Sequence, residues 1–250
     1  AAFEALHIAS LAHDDVIDRA ILRRGRTSLN ALWDNHAAVL GGDYLVARSV
    51  ELLCGYGSCD VISNAISSVR RMSEGELYFF GRDEKEITPA DCIRLAEQKT
   101  ASLFAEACSA PAYLLAPSMC GALHAFGIAL GIAFQIIDDL LDLTQPTSLL
   151  GKPACGDLVE GKRTLPILYM RNALDADGLA RLDGLRDAEL TDDDRVWAMA
   201  MVEQTGAREL AEAEAGRYVE EARCHLEQIP PSVYRDSMAG IVEYVVQRNS

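Results

Sequence analysis

Apolar side chains return at every third or fourth position along most of this 250-residue chain, and that spacing restricts it to helices. Ala5, Ile8, Ala9, Ala12, Val16 and Ala20 form one such stripe. Leu40, Tyr44, Ala47, Val50 and Leu53 form another, and Val61, Ala65, Val69 and Met72 a further one. The alternation of a half-buried strand is scarce, so the pattern predicts an all-α fold. Thr88-Pro89-Ala90-Asp91 reads as an N-cap with proline in the first turn, opening a helix through Ala107. Pro111 and Pro117 predict a break across Ser109 to Ser118, and a long helix follows from about Met119 to Leu143. The segment 144–164 holds Pro146, Gly151, Pro153, Gly156 and Gly161 and reads as a functional loop. Further helices are expected near Arg163–Leu174, Asp192–Gln204 and Ala207–Gln228, with a last one after Pro231. No internal boundary is visible, so residues 1–250 are read as a single domain.

Composition narrows the partners. Half of the residues are hydrophobic, enough for one sizeable core. The formal net charge of −15 argues against nucleic acid, whose phosphates are bound by basic surfaces. The longest apolar region, Leu123 to Ile137, is interrupted by His124, Gln135 and several glycines, so no membrane span is expected. The seven cysteines are odd in number and form no CxxC pair, which predicts reduced, buried thiols in a cytoplasmic protein. No secretory signal is visible, and the chain opens on Ala1 inside an apolar, helix-like segment, so further N-terminal residues are expected in the native protein.

Two segments repeat one acidic pattern, DDxxD: Asp14-Asp15-Val16-Ile17-Asp18 and Asp138-Asp139-Leu140-Leu141-Asp142. Residues four apart on a helix share a face at about 5–6 Å between Cβ atoms, so Asp14 lies beside Asp18 and Asp138 beside Asp142. Like charges at that spacing destabilise a helix by about 0.2–0.5 kcal/mol per pair, and burial adds to the cost. A divalent cation resolves both problems. Magnesium suits the donors, because it takes one or two carboxylates and completes its shell with substrate phosphate and water. No HExxH or Cys/His cluster favours zinc. A solvated acidic face explains one such motif, but not two copies in apolar settings, each followed by basic residues.

Those basic residues are Arg19, Arg23, Arg24 and Arg26 after the first motif, and Lys152, Lys162 and Arg163 in the glycine-containing stretch GKPACGDLVEGKRTL after the second. Arginine forks suit phosphate, and glycine lets backbone approach it. Lys99-Thr100 adds a cation within an otherwise apolar turn. Taken together they fit a site for two polyanions, one at metals and one at arginines alone. The loop does not match a phosphate-binding GxxxxGK[ST].

The segments LHIASLAHDDVIDRAILRRGRTS, AVLGGDYLVARS, SEGELYFF, EQKTASLFAEA, LGIAFQIIDDLLDLT and GKPACGDLVEGKRTLPI together resemble the trans-isoprenyl diphosphate synthase, or polyprenyl synthetase, family over roughly Leu6 to Ile167. The resemblance implies a bundle of antiparallel helices around a deep central cavity, assembled as a homodimer. It implies head-to-tail condensation of isopentenyl diphosphate with an allylic diphosphate. Asp14, Asp18 and Asp138, supported by Asp15, Asp139 and Asp142, would bind Mg²⁺, about three ions per active site. Arg23, Lys99, Gln135, Lys152 and Lys162 would contact the allylic diphosphate. His7 and Arg24 fall where the family binds isopentenyl diphosphate, and Phe134 would pack against it. Thr100 and Gln135 would stabilise the developing cation through their oxygen dipoles. Relative to the family pattern, the N-terminal Gly-Gly-Lys-Arg-like segment and its helices are absent, and Phe79 and Phe80 stand where a Gln is usual.

The helix that ends in the first motif also lines the path of the growing product in this family. Ser10 and Ala9 stand four and five positions before Asp14, about one turn deeper, with Leu6 beyond them. Where a bulky aromatic would stop growth, two small residues leave room, which predicts a product of at least about twenty carbons. A product that long would bring the enzyme to a membrane surface. The competing readings are a class I terpene cyclase, a non-catalytic regulatory subunit of a prenyl diphosphate synthase, and an acidic helical scaffold without substrate.

Overall fold

The computed structural model describes residues 1–82, 86–146 and 153–247. Helix α1 (Ala2–Ile17) leads into a two-residue antiparallel ladder, β1 (Leu22–Arg23) with β2 (Arg26–Thr27). Then come α2 (Leu29–Leu32), α3 (Asn35–Cys54), α4 (Cys59–Phe79) and α5 (Pro89–Leu95). A π-helical turn, Ala96–Ala101, runs straight into α6 (Ser102–Leu115), and a 3₁₀ turn (Pro117–Met119) precedes α7 (Cys120–Thr144). The remainder is α8 (Gly156–Val159), α9 (Leu165–Ala173), α10 (Ala176–Asp183), α11 (Asp192–Gln204), α12 (Ala207–Glu227) and α13 (Val233–Gln247). Among the described residues the fold is therefore all-α apart from one short hairpin. Sequence periodicity missed α2, α8 and α10, each too short to show a full stripe.

Helix α7 is the axis. Most of its side chains are apolar, and Phe126, Leu130, Ile136, Leu140 and Leu143 are almost wholly buried. Each such side chain contributes about 1.5–3 kcal/mol of transfer free energy. Helices α6 and α12 and the π turn enclose it. By length and composition the segment 117–144 is apolar enough to cross a bilayer, and 56% of its most apolar window is buried inside the fold, so packing accounts for its character. A smaller apolar cluster (Leu6, Leu53, Val61, Ala65, Leu103 and Ala110) joins α1, α3, α4 and α6.

Two expectations are corrected. Pro111 does not break the chain but lies inside α6, which continues to Leu115 and ends at Ala116. Proline removes one backbone hydrogen bond, and packing of α6 along α7 outweighs that loss. The cysteines are all free thiols, but Cys54, Cys59 and Cys224 are exposed and only Cys92 and Cys155 are buried.

The cap at Thr88 is as expected. Its hydroxyl accepts from the Asp91 N–H at 3.3 Å, and the Asp91 carboxylate accepts from the Thr88 N–H at 2.9 Å. Bonds from the Thr88 hydroxyl and N–H hold the Asp91 carboxyl down to about 2. That depressed value means its contribution is full above the usual range near 4 and is lost as pH falls through 2. Thr88→Ala is expected to cost about 1 kcal/mol at pH 7. Thermal melts of both proteins should show this gap closing as pH falls toward 2.

Candidate active site

The last turns of α1 and of α7 carry the acidic motifs. Asp14 and Asp18 share one face and are partly buried, their side chains 22% and 20% exposed. A lysine meets each. Lys99 Nζ lies 3.6 Å from Asp14 Oδ1 and also pairs with Glu76 of α4. Lys162 Nζ donates to Asp18 Oδ2 at 3.1 Å and also pairs with Glu160. The Lys162 ammonium is felt by Asp14 on α1 and by Asp139 on α7. One cation therefore lies within electrostatic range of both motifs, and the space between the two helix ends is the candidate cleft.

The charges in this cleft are strongly coupled. Burial pushes the Asp14 carboxyl up, Asp18 and Glu76 add to the rise, and Lys99 and Lys162 oppose it. Burial works to lower the Lys99 ammonium, but Asp14 and Glu76 outweigh it and the group is raised. Lys162 is raised likewise, against burial, by Asp157, Asp18 and Glu160. On α7, burial pushes Asp139 up to about 7, against a hydrogen bond from Gln135 that stabilises the anion. The carboxylates thus need positive charge, and the two lysines supply it.

The π turn places Lys99 and Thr100. Such turns insert an extra residue into a helix and occur often at functional sites. Thr100 Oγ1 donates to Gln135 Oε1 at 2.6 Å, and Gln135 Nε2 donates to Asp139 Oδ1 at 2.7 Å. This relay fixes which way the amide faces. It requires close contact between helices. A Cβ at Gly131 would stand 2.4 Å from Ala101 Cα, and one at Gly127 would stand 2.4 Å from Ala105 Cα. The glycines that interrupt the apolar run of α7 are what let the π turn and α6 lie against it. Phe134, beside Gln135, stacks on Phe104 with ring centroids 5.4 Å apart.

A second group forms at the hairpin. Arg24 and Gly25 both have positive φ, 52° and 72°, as a two-residue type I′ turn requires. Asp15, only 4% exposed, accepts from Arg23 Nε at 2.8 Å. Asn30 Nδ2 donates to the Asp15 and Ala20 carbonyls at 3.0 and 3.1 Å. The His7 imidazole is lowered, first by burial and then by Arg24 and Arg23, with Glu4 opposing. His7 therefore lies within electrostatic range of Arg23 and Arg24.

The structure separates the members of each motif. Asp15, expected to support the metal ligands, points about 100° round the helix from Asp14 and is buried. It holds Arg23. Asp142, 1% exposed, accepts from the Asp157 N–H at 3.0 Å, while its own carbonyl accepts from the Cys155 N–H at 2.8 Å. It tethers the loop that delivers Lys162. Lys152 lies outside the described residues. Arg163, placed among the cations of the cleft, instead lines a separate cavity with Arg171 and Arg186. Glu76, Asp157 and Glu160 were not singled out from the sequence. Asp157 and Glu160 sit between the noted lysines and were findable there; nothing local marks Glu76. Of the expected product-length residues, Ala9 and Leu6 are buried, at 1% and 4% exposure, and Ser10 is half-buried with its hydroxyl on the His7 carbonyl at 2.8 Å.

The donor set fits magnesium. It consists of hard oxygens alone, and among the described residues no three His, Cys, Asp or Glu side chains converge into a closed cage. An ion that takes one or two carboxylates and completes its shell with phosphate oxygens needs no such cage.

Comparison with known proteins agrees with this geometry. The family described as polyprenyl synthetase matches residues 1–201. A prenyl transferase of Synechocystis is 37% identical over 248 residues, covering 98% of this chain and 76% of the relative. Heptaprenyl diphosphate synthase component 2 of Bacillus subtilis is 34% identical, covering 98% of this chain and 70% of that one. The crystal structure of a polyprenyl synthase from Caulobacter crescentus, complexed with calcium and isoprenyl diphosphate, superposes with a TM-score of 0.92 at 33% identity, over 100% of this chain and 77% of its own.

Proposed function

Because this chain belongs to the polyprenyl synthetase family, and so joins isopentenyl diphosphate to an allylic diphosphate, we propose that the reaction runs in the cleft between the ends of α1 and α7. The observation that carries this is the Lys162 ammonium, hydrogen-bonded to Asp18 and within electrostatic range of Asp14 and Asp139.

Asp14 and Asp18 on one wall and Asp138 and Asp139 on the other would hold Mg²⁺, about three ions in all. The metal supplies Lewis-acid neutralisation of the leaving diphosphate. The chain's own residues do the rest. Lys99 and Lys162, already poised between carboxylates, turn to the phosphate oxygens of the allylic substrate, and Arg23 is held by Asp15 to join them. Arg24 and His7 take the diphosphate of isopentenyl diphosphate, where a neutral imidazole adds a donor without another charge to desolvate. Thr100 and Gln135 face the reacting carbons with their oxygen dipoles, fixed by the relay to Asp139. Phe134 and the apolar face of α7 exclude water.

For product length we propose at least about twenty carbons, with Ser10 lining the growing chain one turn below Asp14. The half-buried Ser10 is the better candidate wall, since Ala9 is sealed into helix packing. Incubation with Mg²⁺, isopentenyl diphosphate and farnesyl diphosphate should give a product longer than farnesyl, and EDTA should abolish it. With dimethylallyl diphosphate as the primer instead, Ser10→Phe should stop the product at about fifteen carbons, because side chains on a helix lean toward its N-terminus and the ring would cross the path. Chromatography of the dephosphorylated alcohols reads both results.

We further propose a homodimer, placed in the cytoplasm, where its seven free thiols suit a reducing compartment. The "component 2" in the name of the Bacillus subtilis relative favours a second reading, a subunit that needs an unlike partner. Full condensing activity from the purified chain alone, eluting at twice its mass, decides for the homodimer.

A further inference from the structure

The two lysines of the cleft share one arrangement of partners. Lys99 lies between Asp14 and Glu76 of α4, and Lys162 lies between Asp18 and Glu160 at the end of α8. In each case one partner is an aspartate of the first acidic motif, proposed above as a metal ligand, and the other is a glutamate outside both motifs. The two kinds of partner differ once the site is loaded. An aspartate oxygen engaged with a divalent cation offers little net attraction to an ammonium, because the cation repels it. Each lysine then keeps one carboxylate, its glutamate. Lysine sits on a flexible stem with much rotamer entropy, so that remaining anchor decides whether its charge stays in the cleft or strays into solvent.

The backbone sets both pairs. A Cβ at Gly75 would stand 3.1 Å from Gln98 Cβ, so α4 lies tight against the π turn, and the next residue on each side is Glu76 and Lys99. Glu160 closes α8, its N–H donating to the Gly156 carbonyl at 2.9 Å. Two residues on, the Lys162 N–H donates to the Asp157 carbonyl at 2.8 Å, and the Asp157 N–H is held by the Asp142 carboxylate.

We propose that Glu76 and Glu160 are positioning residues, which keep Lys99 and Lys162 aimed at the allylic diphosphate once Asp14 and Asp18 are engaged with metal. This role presupposes the condensation proposed above. The glutamates touch neither the metal nor the substrate and act through their lysines alone.

Calorimetric titration of farnesyl diphosphate in excess Mg²⁺, without isopentenyl diphosphate, reads the binding step alone. Glu76→Gln and Glu160→Gln keep the size of each side chain and remove its charge, and each should weaken binding about tenfold, within the usual coupling of residues in contact. The sign is informative. A carboxylate that merely stood near the diphosphate would repel it, and its neutralisation would tighten binding. Lys99→Met and Lys162→Met remove the ammonium groups and complete two double-mutant cycles. Glu76→Gln should no longer weaken binding in the Lys99→Met background but should still do so in Lys162→Met, and Glu160→Gln should show the reverse. A glutamate that ligated metal, or only supported the fold, would weaken binding in both backgrounds. Additive losses with the glutamate's own lysine, or unchanged or tighter binding in the single Gln variants, overturn the proposal. Formation of product by the wild type tests the condensation separately: with product formed, additive losses remove the role of the glutamates alone, whereas absence of product removes the condensation itself.

Discussion

Asp14→Asn and Asp138→Asn should each lower kcat about a thousand-fold, while the folded protein melts no lower than the wild type without metal. Losing one oxygen ligand of the metal removes several kcal/mol of transition-state stabilisation, and each 1.36 kcal/mol is tenfold in rate. Stability should not fall in Asp14→Asn, because the Asp14 carboxyl is raised by burial. A carboxyl raised in the fold stabilises most below its unfolded value and costs stability once ionised, so at pH 7 a neutral amide relieves the site. The neighbouring aspartates should behave in the opposite way. Asp15→Asn breaks the buried acceptor of Arg23, and Asp142→Ala strands the Asp157 N–H, so both should lose about 1–3 kcal/mol of stability. Parallel thermal melts and steady-state kinetics on the four variants separate the roles. Near-normal turnover in Asp14→Asn and Asp138→Asn would remove the cleft from the reaction.

Gly131→Ala is the second large effect. The added methyl would lie 2.4 Å from Ala101 Cα and 2.7 Å from Ala101 Cβ, within a helix pair that cannot part without opening the core. Overpacking costs about 1–3 kcal/mol, and more where backbone must move. The upper end of that range lowers Tm by roughly 6–12 °C in a chain of this length. Separating the helices also pulls Thr100 from Gln135, so kcat should fall in the fraction that stays folded, below what lost stability alone explains. Ala101→Gly should restore part of the loss but not all of it. It removes the Cβ contact and leaves the closer one to the backbone. Full stability and full activity in Gly131→Ala would show that α7 and the π turn can move apart freely.

Much of this was legible beforehand, for definite reasons. Helix α11 has the bounds Asp192–Gln204 expected from the sequence, and α12 differs from expectation by a single residue. Both DDxxD motifs lie on helices, and the apolar run of α7 is the core. The π turn was not legible, because Ala96 to Ala101 has nothing in its composition to separate it from ordinary helix. Pro111 misled because a local rule met a tertiary contact that overrode it. Nor did the repeated DDxxD pattern say that its six aspartates divide between cleft and scaffold, since identical spelling carries no information about which face a neighbouring element covers.

The amino-acid sequence alone determined what depends on residues within a turn or two of one another: the helices, their caps, and the pairing of Asp14 with Asp18 along one face. Only the tertiary structure decided which charges meet. Lys162 reaches Asp18 across 144 positions, and Glu76 meets Lys99 from a different helix. Arg163 left the cleft for the wall of another cavity. Electrostatic partners act through space over a few ångströms, and spacing along the chain fixes such distances only inside one helix.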